Sequence, residues 1–452
     1  MIIMKFGGTS LRDADAFRNV VSIIENSFDR KPLVVVSAMA GITNLLERSI
    51  KAAARQQRDS LQEMIEDILD QHLAVIKDLF SNSLLYETSN KTILSEIKNL
   101  RALLEAMKTV KSEQSHLGHA ILSTGEILSS LILTSLLRQE GINAQFIDAR
   151  KIMITSDEHD NIIPIPNLIQ QGSNRVLSPV LENGNTVVTQ GFIGATAEGT
   201  PTTLGRNGSD FSASLLGAAL KADEIQIWTD VDGILTADPS IIPSAKLLET
   251  MTFDEASELA YFGARVLFPA AIQPALDKGI PVRVLNSHLP NSSGTLIVDK
   301  PRNGDTKLVK SIAYKEGITL LTITSSQLLL STKLIADFFS YLNTLSVPVF
   351  AISKSATKIS LTIENSKDIN QIIDHFNKIG ETHVEYKKAV VSIVGENLKG
   401  NPDISWEVIK ILKQNNTQID LISQFSSQIS FMFIINEKDI ESTVKLIHKK
   451  YI

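Results

Sequence analysis

The chain contains no cysteine among its 452 residues. Disulfides, thiolate nucleophiles and cysteine-bound zinc are excluded together, and the composition suits a reducing compartment. An excess of positive charge is also missing: the formal net charge is −6, which argues against a nucleic-acid or anionic-membrane surface. The start, Met1-Ile2-Ile3-Met4-Lys5, is apolar for only four residues, short of the roughly 7–15 of a secretory signal. No apolar run approaches the ~20 residues expected of a spanning helix. These absences predict a cytoplasmic protein with neither a nucleic-acid nor a membrane partner. What is present is apolar material for a large core, 43% of residues, in a chain long enough for two to four domains of about 100–200 residues each.

Through the first three hundred residues, short β-branched runs alternate with helical stretches. Ile2–Phe6, Leu33–Ser37, Thr186–Gln190, Ile225–Trp228 and Val282–Leu285 have strand length and nearly continuous apolarity. That pattern predicts strands covered on both faces, as in a parallel sheet between helices. Amphipathic stretches such as Leu61–Phe80 and Thr92–Met107 intervene, so the fold class is α/β, a sandwich of helices and sheet. Residues 44–120 hold almost no strand signal and read as a helical excursion. Turn-rich segments at 289–294 and 300–304 mark a boundary. Beyond it, the segment from Ser353 to Ile363 aligns with that from Ser423 to Phe433. Each copy reads βαββα, a ferredoxin-like unit of about seventy residues, and two small repeats poor in catalytic residue types suggest a regulatory module.

Four segments carry the chemistry. Met4-Lys5-Phe6-Gly7-Gly8-Thr9-Ser10 follows a strand directly. Its glycines permit close backbone approach to a phosphate, and the helix that follows offers free N–H groups. Lys5 adds a point charge. The spacing matches neither a Walker A loop nor a dinucleotide fingerprint, and alone it would be an ordinary turn. Val36-Ser37-Ala38-Met39-Ala40-Gly41-Ile42-Thr43 places small and hydroxylated residues at a strand end, where α/β sheets bind ligands. Thr203-Leu204-Gly205-Arg206-Asn207-Gly208-Ser209-Asp210 combines an arginine able to clamp a carboxylate with a nearby acid. Trp228-Thr229-Asp230-Val231-Asp232-Gly233 ends a strand in residues suited to grip a base and ribose.

With KFGGTS, SAMAGITNLL, STGE, QGFIG, TTLGRNGSD, WTDVDGI and YFGARVLFP in this order, the chain resembles aspartokinases of the amino-acid kinase superfamily over nearly its whole length. The wording of SAMAGITNLL and ARKIMITSD is most similar to the monofunctional, lysine-sensitive type. The resemblance implies an amino-acid-kinase αβα sandwich over residues 1–298 and two ACT-like domains, 310–385 and 386–452. It implies phosphoryl transfer from ATP, with Mg2+, to the β-carboxylate of L-aspartate, and self-association through the ACT domains as a homodimer or dimer of dimers. By position, Lys5 and Asp210 would be catalytic. Thr43, Glu126, Arg206 and Ser209 would hold aspartate, with Arg206 on its α-carboxylate and Glu126 near its ammonium. Lys5, Gly7, Gly8, Ser10, Thr229, Asp230 and Arg265 would serve ATP, and no protein metal site is implied.

The pattern departs from the family at a few positions. Leu235 and Ser240 stand where relatives carry an aromatic ring and a cation, which implies weaker nucleotide binding by on the order of 1 kcal/mol each. Phe350 and Ala356 replace acidic positions that would contact an effector's ammonium, so lysine inhibition is expected to be weak or absent. Asp157-Glu158-His159-Asp160 reads as a solvated loop rather than a metal site. His116 and His119 read as surface residues on one helix face. Trp406 reads as core or interface, and Phe338, Phe339 and Tyr341 as core.

Overall fold

The computed structural model describes residues 1–80, 83–110, 116–158, 161–263, 268–300, 307–326, 332–398, 401, 403–424 and 429–452. Elements run as β1 (Ile2–Phe6), α1 (Ala14–Glu25), β2 (Pro32–Val36), α2 (Ile42–Ala54), α3 (Arg58–Leu79), α4 (Ser83–Val110), α5 (His116–Gln139), β3 (Ala144–Ile147), β4 (Thr155–Glu158), β5 (Asn161–Pro164), α6 (Pro166–Val176), α7 (Ser178–Glu182), β6 (Thr186–Gln190), β7 (Ile193–Ala195), β8 (Pro201–Thr203), α8 (Gly208–Leu220), β9 (Glu224–Thr229), β10 (Thr250–Thr252), α9 (Phe253–Tyr261), α10 (Pro269–Leu276), β11 (Val282–Asn286) and β12 (Thr295–Val298). There follow β13 (Ser311–Thr324), α11 (Thr332–Thr344), β14 (Val349–Lys354), β15 (Lys358–Glu364), α12 (Ile369–Asn377), β16 (Glu381–Val394), α13 (Asp403–Gln414), β17 (Leu421–Gln424), β18 (Ser430–Asn436) and α14 (Ile440–Tyr451).

The chain packs as two units. The first holds an eight-stranded sheet in the order β10-β12-β11-β9-β1-β2-β6-β3. All its pairings are parallel except β11 with β12. The buried runs read from the sequence are its central strands. The alternation of side chains along β1 decides what each residue meets. Ile2, Met4 and Phe6 join the core made with α1 to α5. Ile3 points the other way, to the neighbourhood of Gly217 on α8, and Lys5 shares its parity. The helical excursion predicted over 44–120 is found as α2, α3 and α4, continuing into α5. At 24 residues, α5 is long and apolar enough to cross a membrane by length and composition, which the sequence reading overlooked, but 78% of its apolar window is buried inside the fold. It is a core helix.

The second unit joins residues 301–452 with two earlier segments, 235–248 and 254–267. Ala237 and Ile242 enter the same core as Ile393, Phe431 and Val444. Its six-stranded antiparallel sheet runs β14-β15-β13-β16-β18-β17, and each repeat has the predicted βαββα order. The apolar runs Ile318–Thr324 and Ala389–Val394 predict the opening strands of the repeats, and each observed strand, at 14 residues, is at least twice as long. Ile318–Thr324 pairs with β15 within the first repeat, whereas Ser311–Lys315 pairs with Val390–Val394 of the second. Residues 381–385 of β16 reciprocally flank the first repeat. Each repeat thus receives its fourth strand from the other, and the register shifts where Gly317 adopts a positive φ of 72°.

Some expected placements need correction. Trp406 is 67% exposed on α13 and is not core in this chain. Phe338 is buried, but its neighbour Phe339 is exposed. Asp157 and Glu158 lie in the β4–β5 hairpin rather than a loop, while His159 and Asp160 fall outside the described residues. His119 is half-buried and its Nδ1 contacts Thr203 Oγ1 at 2.8 Å, so it is not a plain surface residue.

One buried group makes the first unit sensitive to acid. His72 on α3 has no exposure. Its Nδ1–H donates to the Ile68 carbonyl at 2.6 Å, which leaves Nε2 buried without a partner. Burial holds its pKa down, to about 4 against an ordinary 6.5. The unfolded chain therefore binds the proton more readily, and stability is complete above about 6.5 and lost as pH falls toward 4. His72→Phe is expected to flatten the fall in melting temperature between pH 6.5 and 4.5; an unchanged pH slope would contradict this.

Candidate active site

Because β1, β2, β6, β9 and β11 run parallel, their carboxyl ends lie along one edge of the sheet, and the loops leaving them are neighbours. Phe6, Val36, Gln190, Thr229 and Asn286 are the terminal residues of those strands. The segments singled out from the sequence at Gly7, Ser37, Gly191 and Asp230 all leave this edge.

Lys5 is the penultimate residue of β1, on the face that α8 covers. Asp210 lies in the first turn of α8. Their Nζ and Oδ1 atoms are 2.6 Å apart, with side chains only 11% and 13% exposed. The contact is a buried ion pair at hydrogen-bond distance. The N-terminus of α8 is reached through two left-handed residues, Gly205 at φ 73° and Asn207 at φ 57°. That turn leaves Arg206 exposed, with no ion-pair partner among the described residues, and buries Ser209.

Glycines at this edge are required by contact rather than by flexibility alone. A Cβ on Gly8 would stand 2.9 Å from the Ala38 carbonyl oxygen, and one on Gly191 would stand 2.6 Å from Ser209 Cβ. The loop after β1 presses against that after β2, and the loop after β6 against the start of α8, so neither glycine position has room for a side chain. Gly7 is different: a Cβ there would make ordinary contacts, 3.6 Å from the Trp228 carbonyl oxygen and 3.7 Å from Lys5 Nζ, which places this turn directly beside the Lys5 ammonium. The Gly7 N–H donates to the Trp228 carbonyl at 3.1 Å, tying this turn to the end of β9.

Glu126 is the most perturbed acid in the unit. It lies in the middle of α5, fully buried, and the Ala38 N–H donates to its carboxyl group. Oε2 has no partner. Desolvation dominates and pushes its pKa up to about 8. A buried carboxyl with an open oxygen is primed to receive a cationic group. Thr43 lies on the first turn of α2, half-buried, where backbone N–H groups are free for an anion.

Ser10 is placed differently from a phosphate-touching hydroxyl. It is buried and donates from Oγ to Ser287 Oγ at 2.8 Å. Thr229 ends β9 and Asp230 follows it, the two linked by a 3.1 Å hydrogen bond from Thr229 Oγ1 to Asp230 Oδ1. Leu235 and Ser240 pack with the second unit, where Ser240 Oγ donates to Asp238 Oδ1 at 2.6 Å. Arg265 falls outside the described residues. Sequence reasoning missed Ser287 and Asn286; it singled out the QGFIG segment, but the steric need for Gly191 was hidden because its neighbour, Ser209, is distant in the chain.

The arrangement puts a buried cation–anion pair, a close-packed glycine turn, an exposed arginine without an ion-pair partner among the described residues and a buried proton-holding acid at one sheet edge. It suits transfer of an anionic group between two ligands, one of them carrying both a carboxylate and an ammonium. The comparisons agree with this reading. Residues 1–286 match the amino acid kinase family and residues 391–451 the ACT domain. The chain is 32% identical to lysine-sensitive aspartokinase 3 of Escherichia coli over 99% of its own length and 98% of the relative's. It superposes with a TM-score of 0.87 on the crystal structure of E. coli aspartokinase III in complex with lysine and aspartate (T-state), at 33% identity, covering 100% of this chain and 99% of that one. With the aspartate and ADP complex of that protein (R-state) the TM-score is 0.81, at 33% identity and 99% coverage of each chain.

Glu126 provides a direct check on the site's electrostatics. Its folded pKa lies above its ordinary 4.5, so the empty protein holds the proton more tightly than the unfolded chain and loses stability as pH rises from about 4.5 through 8. Glu126→Gln is expected to abolish that loss, leaving wild type relatively less stable by on the order of 1 kcal/mol per pH unit across the interval. Denaturant unfolding at pH 6 and pH 8.5 measures it, and equal slopes for the two proteins would refute the assignment.

Proposed function

The chain belongs to the amino acid kinase family as one of its aspartokinases, and from that premise we propose how its own residues carry out aspartate phosphorylation. The enzyme transfers the γ-phosphoryl group of ATP to the β-carboxylate of L-aspartate, the first step of the aspartate-derived amino-acid pathway. We assign the chemistry to residues 1–298 and regulation to two ACT-like domains, 310–385 and 386–452.

Lys5 stabilises the negative charge on the transferring phosphoryl group, and Asp210 holds the Lys5 ammonium at the point of transfer. The observation that carries this assignment is the 2.6 Å pair of buried charges at the carboxyl edge of the sheet. Gly7 and Gly8 bring backbone against the phosphates, with Ser10 fixing their turn. Thr229, Asp230 and Arg265 complete nucleotide binding. Arg206 clamps the α-carboxylate of aspartate, Glu126 takes its ammonium, and Thr43 and Ser209 hold the substrate from two helix N-termini. Glu126, neutral when the site is empty, ionises as the substrate ammonium arrives.

The nucleophile is the substrate's own carboxylate, ionised at neutral pH, so no protein base is needed. An oxygen of that carboxylate bonds to the γ-phosphorus as the bond to the β,γ-bridging oxygen breaks, and ADP leaves with that electron pair. Catalysis is therefore positioning and charge neutralisation. A Mg2+ ion fits as one that arrives with the nucleotide and is held mainly by ATP oxygens and water, since no group of three or more metal-ligating side chains occurs among the described residues. When bound, the ion would neutralise phosphate charge. The enzyme is further read as cytoplasmic, and as a homodimer or dimer of dimers associating through its ACT-like domains.

Trapping the acyl phosphate with hydroxylamine tests the reaction. Aspartate-dependent hydroxamate should form with Mg-ATP, and its absence at saturating ATP would sink the reading. Lys5→Ala and Asp210→Ala should each lower kcat by about 100-fold or more, as for removal of a charge-stabilising group, with the fold intact by circular dichroism.

Regulation by lysine is expected to be weak or absent. Phe350 is buried in β14 and its ring lies 5.6 Å from that of Tyr261, an apolar contact in place of an anion, while Ala356 is exposed. An inhibition curve with a half-maximal lysine concentration of about a millimolar or below, a binding energy near 4 kcal/mol, would overturn this expectation.

A further inference from the structure

Ser287 belongs to none of the motifs that carry the family resemblance, yet it joins three of the segments at the site. It is the residue after β11 and is only 1% exposed. Its N–H donates to the Thr229 carbonyl at 2.8 Å, and its Oγ donates to the same oxygen at 3.1 Å. The same Oγ accepts from Ser10 at 2.8 Å. Its carbonyl accepts from the Asn19 side-chain amide on α1. Asn286, immediately before it and also buried, donates from Nδ2 to Asp232 Oδ1 at 2.6 Å and accepts from the His288 N–H at 2.8 Å.

The consequence is geometric. Both lone pairs of the Thr229 carbonyl are occupied, and the preceding carbonyl, Trp228, accepts from Gly7. The peptide planes at the end of β9 are thereby fixed, and with them the directions in which Thr229 and Asp230 leave the sheet. The glycine turn after β1 is fixed to the same point through Ser10. Ser10 itself has nothing left to give a phosphate: its N–H donates to the Gly7 carbonyl at 3.1 Å and its hydroxyl to Ser287.

We propose that Ser287, supported by Asn286, is a positioning residue for the nucleotide, setting the distance between the phosphate-binding turn and the Thr229–Asp230 segment, and that Ser10 acts through it. The proposal rests on the nucleotide assignment given above. A nucleotide spans both segments, so a loosened joint between them weakens binding of ATP and ADP without disturbing the aspartate side.

The test uses the full-length enzyme with Ser287→Ala, Ser10→Ala, the double variant, and Asn286→Asp. Each single change should raise the KM for ATP and the Kd for ADP by about 5–10-fold, the size of one lost buried hydrogen bond, with the KM for aspartate held within about twofold. The double variant should be no worse than Ser287→Ala, because the two residues share one bond. Asn286→Asp sets a second carboxylate against Asp232 and should give the same split. If both KM values rise together, or melting temperature falls while both stay put, Ser287 is a strut of the fold and the proposal is wrong. If Ser287→Ala does not fold, Ser10→Ala and Asn286→Asp decide it by the same criterion. Asp230→Ala is the control on the underlying reading. An unchanged KM for ATP in that variant removes the nucleotide assignment itself, whereas a raised one beside an unaffected Ser287→Ala overturns the joint alone.

Discussion

The contact between Lys5 and Asp210 is the constraint from which the rest of the first unit follows. Burying two charges costs several kcal/mol per ion, and their attraction repays this only in favourable geometry. A nearly buried pair, even at 2.6 Å, is by itself weak evidence for stability. Its retention makes sense where the ammonium has another partner to serve. The sheet supplies the stability that the pair does not: β1 is hydrogen-bonded on both sides, to β2 and β9, along its full length. Lys5 is therefore held at a fixed height above the carboxyl edge, and α8 must start where Asp210 can reach it.

That requirement propagates into sequence. To begin α8 against the edge, the chain turns through left-handed Gly205 and Asn207, and to let α8 approach, position 191 has no room for a side chain. Ala38, on the loop after β2, approaches Gly8 and gives its N–H to Glu126. One small residue thus constrains both the glycine turn after β1 and the charge state of an acid buried on α5. The high pKa of Glu126 follows from the same close packing, since water is excluded and the backbone amides of Ala38 and of Glu126 itself do not offset the lost hydration.

Much of this was legible in the sequence because it is local. The continuous apolar runs gave the parallel strands to within a residue or two, and hydroxyl and glycine clusters at their ends marked the edge. The ordered motifs brought Lys5, Arg206 and Asp210 into one reading. What was not legible depends on contacts distant along the chain. Ser287 is a serine in a turn-rich stretch until Ser10 and Thr229 are seen beside it. Ser10 reads as a phosphate ligand from its place in the glycine turn, and only the folded chain shows its hydroxyl engaged. Helical spacing points to core or interface for Trp406 and to core for Phe339, yet both are exposed in this chain, because a periodicity does not reveal whether a helix face has anything to pack against. The long strands β13 and β16 were halved for a similar reason. Their outer halves serve the other repeat, and nothing within either repeat specifies that.

The two repeats show how one scaffold permits opposite electrostatic choices. The alignment of 353 with 423 sets Phe350 opposite Asp420 and Ile318 opposite Lys388. In the second repeat Asp420 and Lys388 form a buried pair at 2.6 Å, with Asn436 accepting a further hydrogen bond from Lys388 at 3.0 Å. In the first repeat the corresponding residues are apolar, and Lys315 lies 4.7 Å above the Phe350 ring. An acid already neutralised by its own chain has little charge to offer an external cation, and a phenyl ring offers only its face. A charged effector would have to displace Lys388 in one case and desolvate against Phe350 in the other, and each carries a cost comparable to the binding energy of a small ligand. The doubled ACT-like architecture therefore does not by itself imply a responsive amino-acid site, since the residues that would confer the response occupy equivalent places and have been resolved inside the protein.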